Sequence, residues 1–425
     1  MSFTNIRKYF NVILVQKLII ATLLISILSS FLAITLKHIT EYLEHSFLLK
    51  ATKQSFLMFI FPAIGLFVIY FMRQYLFKKK ENKGIKEIFD ATKSKNKSLP
   101  LYKIPSHFIN GLFTVAFGGS TGIEVSTVVS TAAIGAATHK KENQFRKYKT
   151  ELICAGITAG ITILFNSPIA GILFSMEVIA KKKNKVLFLT NIIALSVAYG
   201  LLLVLDEAPL FSVNILSWNY YAIPYFILLG ILAGYNSVLL TKTVLFFKKQ
   251  FSKINNDFYK IAFGSLIISS LLFILPQLYG DGYHAMKTLF TIQNPTITFS
   301  FLLTFVGILI LKPVITSATL ASGGDGGVFA PSLFIGAFLG LLLATILNSY
   351  FQLNVISVNF MILGMAAVLS ASLHAPYTSL FLVCGMINDY TLFLPILMVC
   401  FIAKYTAKFV YPYTVYTYSP ISVKS

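Results

Sequence analysis

The feature that most constrains this chain is a recurring apolar stretch of bilayer length. Residues 18–36 (LIIATLLISILSSFLAITL), 55–72, 186–204, 224–240, 261–275, 299–311 and 391–403 are almost free of charge. Most approach the ~20 residues needed to cross ~30 Å of hydrocarbon. Residues 327–347 and 355–387 add apolar sequence interrupted by small residues and prolines. A core helix of a soluble protein is shorter and amphipathic. Only 12% of the residues are charged, where a soluble chain carries about a quarter. The expectation is an all-α integral membrane protein that crosses the bilayer many times.

The first span follows Arg7, Lys8 and Lys17. It is longer than the apolar part of a signal peptide, about 7–15 residues, and shows no small-x-small cleavage site, so it is read as retained. Cys154, Cys384 and Cys400 sit inside apolar stretches, and an odd number there argues against a disulfide framework or a metal site. His38, His45, His107, His139 and His284 form no metal-ligand spacing. No metal and no cofactor is expected.

A net charge of +20 invites a nucleic-acid reading, but the charge is segregated. Lys78 to Lys80 stand with Lys83, Lys86, Lys93, Lys95 and Lys97, and a second group is Lys140, Lys141, Arg146, Lys147 and Lys149. Lys181 to Lys183 with Lys185, and Lys242, Lys248, Lys249 and Lys253, make two more. Positive clusters between spans mark cytoplasmic loops. Asp206 and Glu207 lie in a loop without basic residues, which suits the opposite side. Anionic lipid headgroups are the expected partner of the basic clusters rather than nucleic acid.

The chain also repeats itself. Residues 118–126 read GGSTGIEVS and residues 323–331 read GGDGGVFAP; AGITAGITILFNSPIAGILF near 155–174 pairs with LGMAAVLSASLHAPYTSLFL at 363–382. Gly118 and Gly323 stand 205 residues apart, and Pro168 and Pro376 stand 208 apart. Two motif pairs in register suggest one transmembrane domain over residues 1–425 with internal repeats near 55–205 and 255–410. Gly/Pro-interrupted apolar segments at matching positions of two halves point to a transport site near the bilayer midplane. No soluble domain is expected after the last span.

Glu124 lies in the first Gly-rich segment. A carboxylate amid membrane sequence costs roughly 3 kcal/mol or more and marks a functional site by default. The glycines before it and the apolar run after it put it near a helix N-terminus, where backbone N–H groups favour negative charge. Such a site accepts an anion; Glu124 competes for it while ionised and frees it once protonated. A capping carboxylate at the interface is the bland alternative. In the second half, Gly326-Gly327-Val328-Phe329-Ala330-Pro331 is another Gly-rich entry to a helix, with Pro331 in the first turn. It is no phosphate loop, since no strand precedes it and no Lys-Ser/Thr follows.

With these segments on the page, the chain resembles the CLC chloride channel and transporter family. The resemblance rests on Gly-Ile-Glu at 122–124, GGVFAP at 326–331, FNSPIAGILFSMEV at 165–178, SASLHAPYTSLFLV at 370–383 and Tyr416, in order over roughly residues 80–420. It implies a homodimer with a pore in each subunit. It also implies two inverted repeats of many tilted, partly discontinuous helices whose N-termini point at the anion. By the same resemblance Glu124 is the gate, the backbone amides of Val328 and Phe329 hold the anion, and the Tyr416 hydroxyl meets it from the inner side. Tyr418 is the alternative tyrosine, and an aromatic-belt residue is the plain reading of either.

Departures from the family pattern matter as much. Its first motif stands here as Asn82-Lys83-Gly84-Ile85-Lys86-Glu87, with backbone ligands expected near Gly84 and Ile85. Lys83 replaces the serine of the inner gate; it either lends charge to the inner vestibule or snorkels to the cytoplasmic surface. Val125 and Ser126 stand where the family has Gly-Pro. Glu177 is kept, but Val178 occupies the position of the exchangers' second, proton-relaying glutamate, and an apolar side chain carries no proton. His374 and Asp325 are read as capping or packing residues.

The expected function is transport of small anions, chloride foremost, channel-like or uncoupled, in a prokaryotic inner membrane. Chloride/proton exchange and specialisation for another anion such as fluoride are the alternatives. A cation-coupled carrier would want acids in several spans, where essentially Glu124 stands alone, with Glu177 and Asp389 near span ends. A membrane-embedded enzyme would want a nucleophile–base pair or metal ligands at one depth, and none can be read. A non-transporting assembly protein leaves Glu124 unexplained.

Overall fold

The computed structural model describes residues 3–80, 82–94, 97–141, 143–181, 184–215, 217–292, 295 and 297–418, with the side chains of 3–12, 139–141, 143 and 144 outside that description. Of the basic positions named above, Lys95, Lys182 and Lys183 therefore lie outside the described residues, as do the side chains of Arg7, Lys8, Lys140 and Lys141, and that of His139.

Sixteen α-helices follow one another among the described residues. They are α1 (Phe3–Lys53), α2 (Ser55–Phe71), α3 (Ile85–Lys93), α4 (Lys103–Ala116), α5 (Glu124–Lys141), α6 (Lys149–Phe165), α7 (Pro168–Leu173) and α8 (Lys185–Val204). The second half contains α9 (Ile223–Phe251), α10 (Asp257–Ile274), α11 (Tyr283–Phe290), α12 (Phe299–Ala321), α13 (Phe329–Phe351), α14 (Ser357–Leu373), α15 (Pro376–Ile387) and α16 (Phe393–Val410). Nine helices among the described residues are long and apolar enough to cross a membrane. The apolar stretch at 18–36 is only the middle of α1, whose 51 residues extend ~77 Å.

Hydropathy alone does not say which spans face lipid. Only 28% of the apolar window of the span built on α2 is buried in protein, against 94% for α13. Buried helices without a hydrophobic drive between them pack through small residues that let backbones approach. Gly336 and Gly340, one turn apart on α13, do this against α14. A Cβ on Gly340 would stand 2.0 Å from the Phe360 carbonyl oxygen, and one on Gly336 2.2 Å from that of Gly364.

The same broken-helix geometry occurs twice. Helix α6 ends on Asn166 in the left-handed conformation (φ 50°), and Pro168 opens α7. Helix α14 ends on left-handed His374 (φ 57°), and Pro376 opens α15. Proline suits the first turn of a helix because its missing N–H would be unpaired there. Two residues separate the helices in each break, Asn166-Ser167 in the first and His374-Ala375 in the second, and His374 serves as a cap.

Ionisable groups inside the protein are more numerous than the sequence reading allows. Besides Glu124, the acids Glu44, Glu151, Asp281 and Asp325 are buried, as are Lys103, His107, Lys149 and Lys312, and Glu151 lies inside the α6 span, which corrects the count of one membrane acid. Glu44 lies beyond the apolar core of α1 and Asp281 in a turn, so neither interrupts a hydrophobic window. On the side away from the lysine-rich loops, Glu207 accepts Lys37 Nζ at 2.7 Å and lies 2.6 Å from His38 Nε2. Burial pushes the Glu207 carboxyl up, but these two bases outweigh it and hold the group below its usual range.

Candidate anion pathway

The two Gly-rich segments meet. The Gly122 N–H donates to the Gly327 carbonyl oxygen at 3.4 Å, an isolated antiparallel bridge between the loops that open α5 and α13. Thr121 Oγ1 donates to the Asp325 carbonyl at 3.1 Å, and the Asp325 N–H to Thr114 Oγ1 at 2.9 Å. Contact this close needs residues without side chains. A Cβ on Gly327 would stand 2.2 Å from Val125 Cγ2 and 2.7 Å from the Tyr416 hydroxyl. One on Gly122 would fall 1.7 Å from Glu124 Oε2, because the carboxylate folds back over that glycine.

Glu124 is the first residue of α5 and is fully buried. Its Oε1 accepts the Tyr283 hydroxyl at 2.6 Å. The N–H groups of Glu124 itself and of Ala330 add a favourable field at the carboxylate. Oε2 has no hydrogen-bond partner of ordinary geometry among the described residues. The negative group thus occupies the junction of two helix N-termini, where an anion is favoured.

Cavities approach this junction from both sides. An inner one of about 360 Å³ is lined by Lys83, Gly84, Ile85, Val125, Val328 and Tyr416. An outer one of about 530 Å³ is lined by Ile123, Asp281 and Tyr283 together with Glu44, His284 and Lys287. Ile123 and Val125 face opposite cavities, so the residue between them stands at the partition.

The structure brings most of the expected site together. Gly84 precedes α3 and Ile85 opens it, so that helix presents its N-terminus to the inner cavity. The Val328 N–H donates to the Tyr416 hydroxyl at 3.1 Å. Phe329, the first residue of α13, is fully buried behind the cavity wall, its ring 5.6 Å from that of Phe174. Tyr418 points elsewhere: its carbonyl accepts Lys86 Nζ at 2.9 Å, and its ring lies 6.0 Å from Tyr413. The Lys83 side chain is exposed and borders both the inner cavity and a neighbouring one of about 750 Å³, which Lys86, Lys93 and Lys181 also line.

Other polar positions acquire partners that spacing alone does not reveal. Asp325 accepts from the Gly326 N–H at 2.9 Å, a turn role, but also from Asn82 Nδ2 at 2.8 Å, and it lies 2.8 Å from the buried Nδ1 of His107. It therefore holds α4 to the loop before α13, more than a cap. Glu177 accepts both the N–H and the hydroxyl of Thr378 in the first turn of α15, at 2.8 and 2.7 Å, which makes it an anchor for that helix. Val178 is buried. Tyr283 is the site residue that sequence reasoning misses; the available signal was the Gly-Asp-Gly-Tyr run at 280–283, a third Gly-rich entry to a helix.

A bundle of spans in which α5 and α13 bring their N-termini to one buried carboxylate between two cavities defines a transmembrane pathway for anions. A family model described as voltage gated chloride channel matches residues 64–408, and the chain belongs to that family. It is accordingly a multi-pass membrane protein for anion transport. It is similar to a voltage-gated ClC-type chloride channel ClcB of Escherichia coli O17:K52:H18, with 28% identity over 313 residues and 72% of each chain covered. Among solved structures it is similar in fold to a CLC-type fluoride/proton antiporter, with a TM-score of 0.79, 23% identity and 95% and 97% of the two chains covered. A slow cyanobacterial Cl−/H+ antiporter superposes with a TM-score of 0.80 at 20% identity, covering 94% of this chain and 96% of the other.

Proposed function

We propose that this protein passes chloride and similar small anions across a prokaryotic inner membrane, through a separate pore in each subunit of a homodimer. Glu124 is the gate, and the inner site is formed by the backbone at Gly84, Ile85, Val328 and Phe329 with the Tyr416 hydroxyl. The observation that carries this reading is the buried Glu124 carboxylate at the junction of the α5 and α13 N-termini, between an inner and an outer cavity. The anion and the carboxylate compete for the same amide field, so conduction requires the carboxylate to leave or lose its charge. Lys83, Lys86 and Lys181 raise the local concentration of anions at the inner mouth. The pore lies within one transmembrane domain, residues 1–425, whose repeats span approximately 55–205 and 255–410.

Movement is uncoupled in this reading, because Val178 offers no proton and Glu177 is committed to Thr378. Exchange for protons is the second reading, favoured by the two antiporters of the same fold. Chloride efflux from liposomes, with external pH followed in the same sample, separates them. Efflux without proton movement is the expected result; opposed proton movement means exchange; efflux of fluoride but not chloride reassigns the anion.

Tyr416→Phe tests the inner site. An anion there loses one charge-assisted hydrogen bond, worth about 1.5–3 kcal/mol, so chloride affinity by calorimetry falls about tenfold or more. Tyr418→Phe leaves it unchanged.

A further inference from the structure

We propose that Tyr283 is the outer latch of the Glu124 gate, a positioning residue whose hydroxyl holds the carboxylate across the anion path. This rests on the reading of Glu124 as the gate and adds the group that sets how readily it opens. The Tyr283 hydroxyl donates to Glu124 Oε1 at 2.6 Å, the short distance of a charge-assisted bond. Tyr283 also lines the outer cavity, so this one side chain bridges the outer mouth and the gate.

The tyrosine itself is held from several elements. Its N–H donates to Asp281 Oδ1 at 2.8 Å, and the Asp281 N–H donates to Glu44 Oε1 on α1 at 3.1 Å. Lys312 Nζ on α12 donates to the carbonyls of Leu278 and Gly280 at 3.2 and 3.3 Å, and lies 4.3 Å from the centre of the Phe334 ring of α13. The ring meets Phe211 edge-on, with centroids 5.9 Å apart. Helices α1 and α12 therefore fix the turn before Tyr283, while among the described residues the one side-chain hydrogen bond to the Glu124 carboxylate comes from Tyr283. When the bond breaks, the carboxylate moves rather than the tyrosine.

The charged and titratable groups around this contact are Glu44 from α1, Asp281 from the turn, Lys312 from α12 and Tyr416 from the C-terminal segment. His284 and Lys287 of α11 and Lys37, His38, Glu41 and His45 of α1 border the outer cavity. A hydroxyl donor favours a carboxylate over a carboxylic acid, so the latch is strong while Glu124 is ionised and weak once it is protonated. Tyr416, which takes the Val328 N–H, faces the inner cavity and cannot substitute for this contact.

The test is a double-mutant cycle of chloride efflux from liposomes across a pH series, with Tyr283→Phe, Glu124→Gln and both together. Tyr283→Phe keeps the ring packing and removes only the donor. Loss of a charge-assisted bond shifts the latched population by about tenfold. Efflux at neutral pH is therefore expected to rise by up to about that factor, and the additional stimulation by acid to shrink in proportion. In the Glu124→Gln background the same substitution is expected to change nothing. Incorporating 3,5-difluorotyrosine at 283, a stronger donor at pH values where it stays protonated, is expected to lower efflux and guards against a folding artefact of the phenylalanine variant.

An unchanged rate and pH profile in Tyr283→Phe, or an equal fold-change in both backgrounds, overturns the latch. If the latch alone fails, Glu124→Gln still alters efflux. If Glu124→Gln has no effect either, the gate reading falls with it.

Discussion

Glutamine at position 124 is expected to raise chloride efflux at neutral pH by about tenfold or more and to flatten its dependence on pH. The ionised carboxylate occupies the amide field of α5 and α13 as a substitute anion. Converting it to a neutral amide of the same shape removes its attraction to that field, and 1.4 kcal/mol of differential stabilisation is already a factor of ten. Direct comparison of Glu124→Gln with the parent in liposomes, from about pH 4 to pH 8, checks this. The sign of the pH effect follows from the same competition: acid neutralises the carboxylate, so the parent conducts better as pH falls while the variant stays near its maximum. A folded variant with the parent's rate and profile would reduce Glu124 to a helix cap.

The second large effect is structural. Gly340→Val is expected to prevent α13 from docking on α14, because the new Cβ would meet the Phe360 carbonyl oxygen at 2.0 Å and its carbon at 2.4 Å. Overpacking a well-filled core costs about 1–3 kcal/mol even where side chains can yield, and backbone yields less. Thermal unfolding in detergent should show a melting point lower by about 1 °C for each kcal/mol lost, or no monodisperse protein at all. Gly307→Ala on α12 is the control. Its Cβ has nothing closer than Leu275 Cδ1 at 3.8 Å, so no loss of melting temperature is expected. Equal behaviour of the two variants would mean that close approach of α13 and α14 does not set stability.

The two predictions draw on different kinds of information. Glu124 was legible in the sequence because a carboxylate amid apolar residues is expensive and because three glycines precede it. The GGVFAP segment was legible for the same reason, as a Gly-rich turn entering a helix, and both do open helices, α5 and α13. The apolar stretches announced the spans because hydrocarbon thickness sets a minimum length that ordinary core helices do not reach. Pro168 and Pro376 were visible as a matched pair, since helix-opening prolines are a local preference of the backbone.

What escaped depends on contacts between residues far apart in the chain. Tyr283 reaches Glu124 across 159 positions, and Glu44 reaches Asp281 across 237. No local signal ties those numbers together. Whether Tyr416 or Tyr418 faces the pathway turned on the path of a short C-terminal segment, and Lys83 proved to border the inner cavity while remaining exposed. Glu177, read only as a retained family residue, is tied to the first turn of α15.

By itself, then, the sequence determined the solvent of this protein, the helical state of its backbone and the acid at its centre, because each follows from the energy of placing particular groups in lipid. Only the tertiary structure decided which helix ends converge, which spans are enclosed, and which hydroxyl bonds Glu124. Those outcomes depend on ångström-scale approach of glycine backbones and on hydrogen bonds whose partners the linear order does not pair.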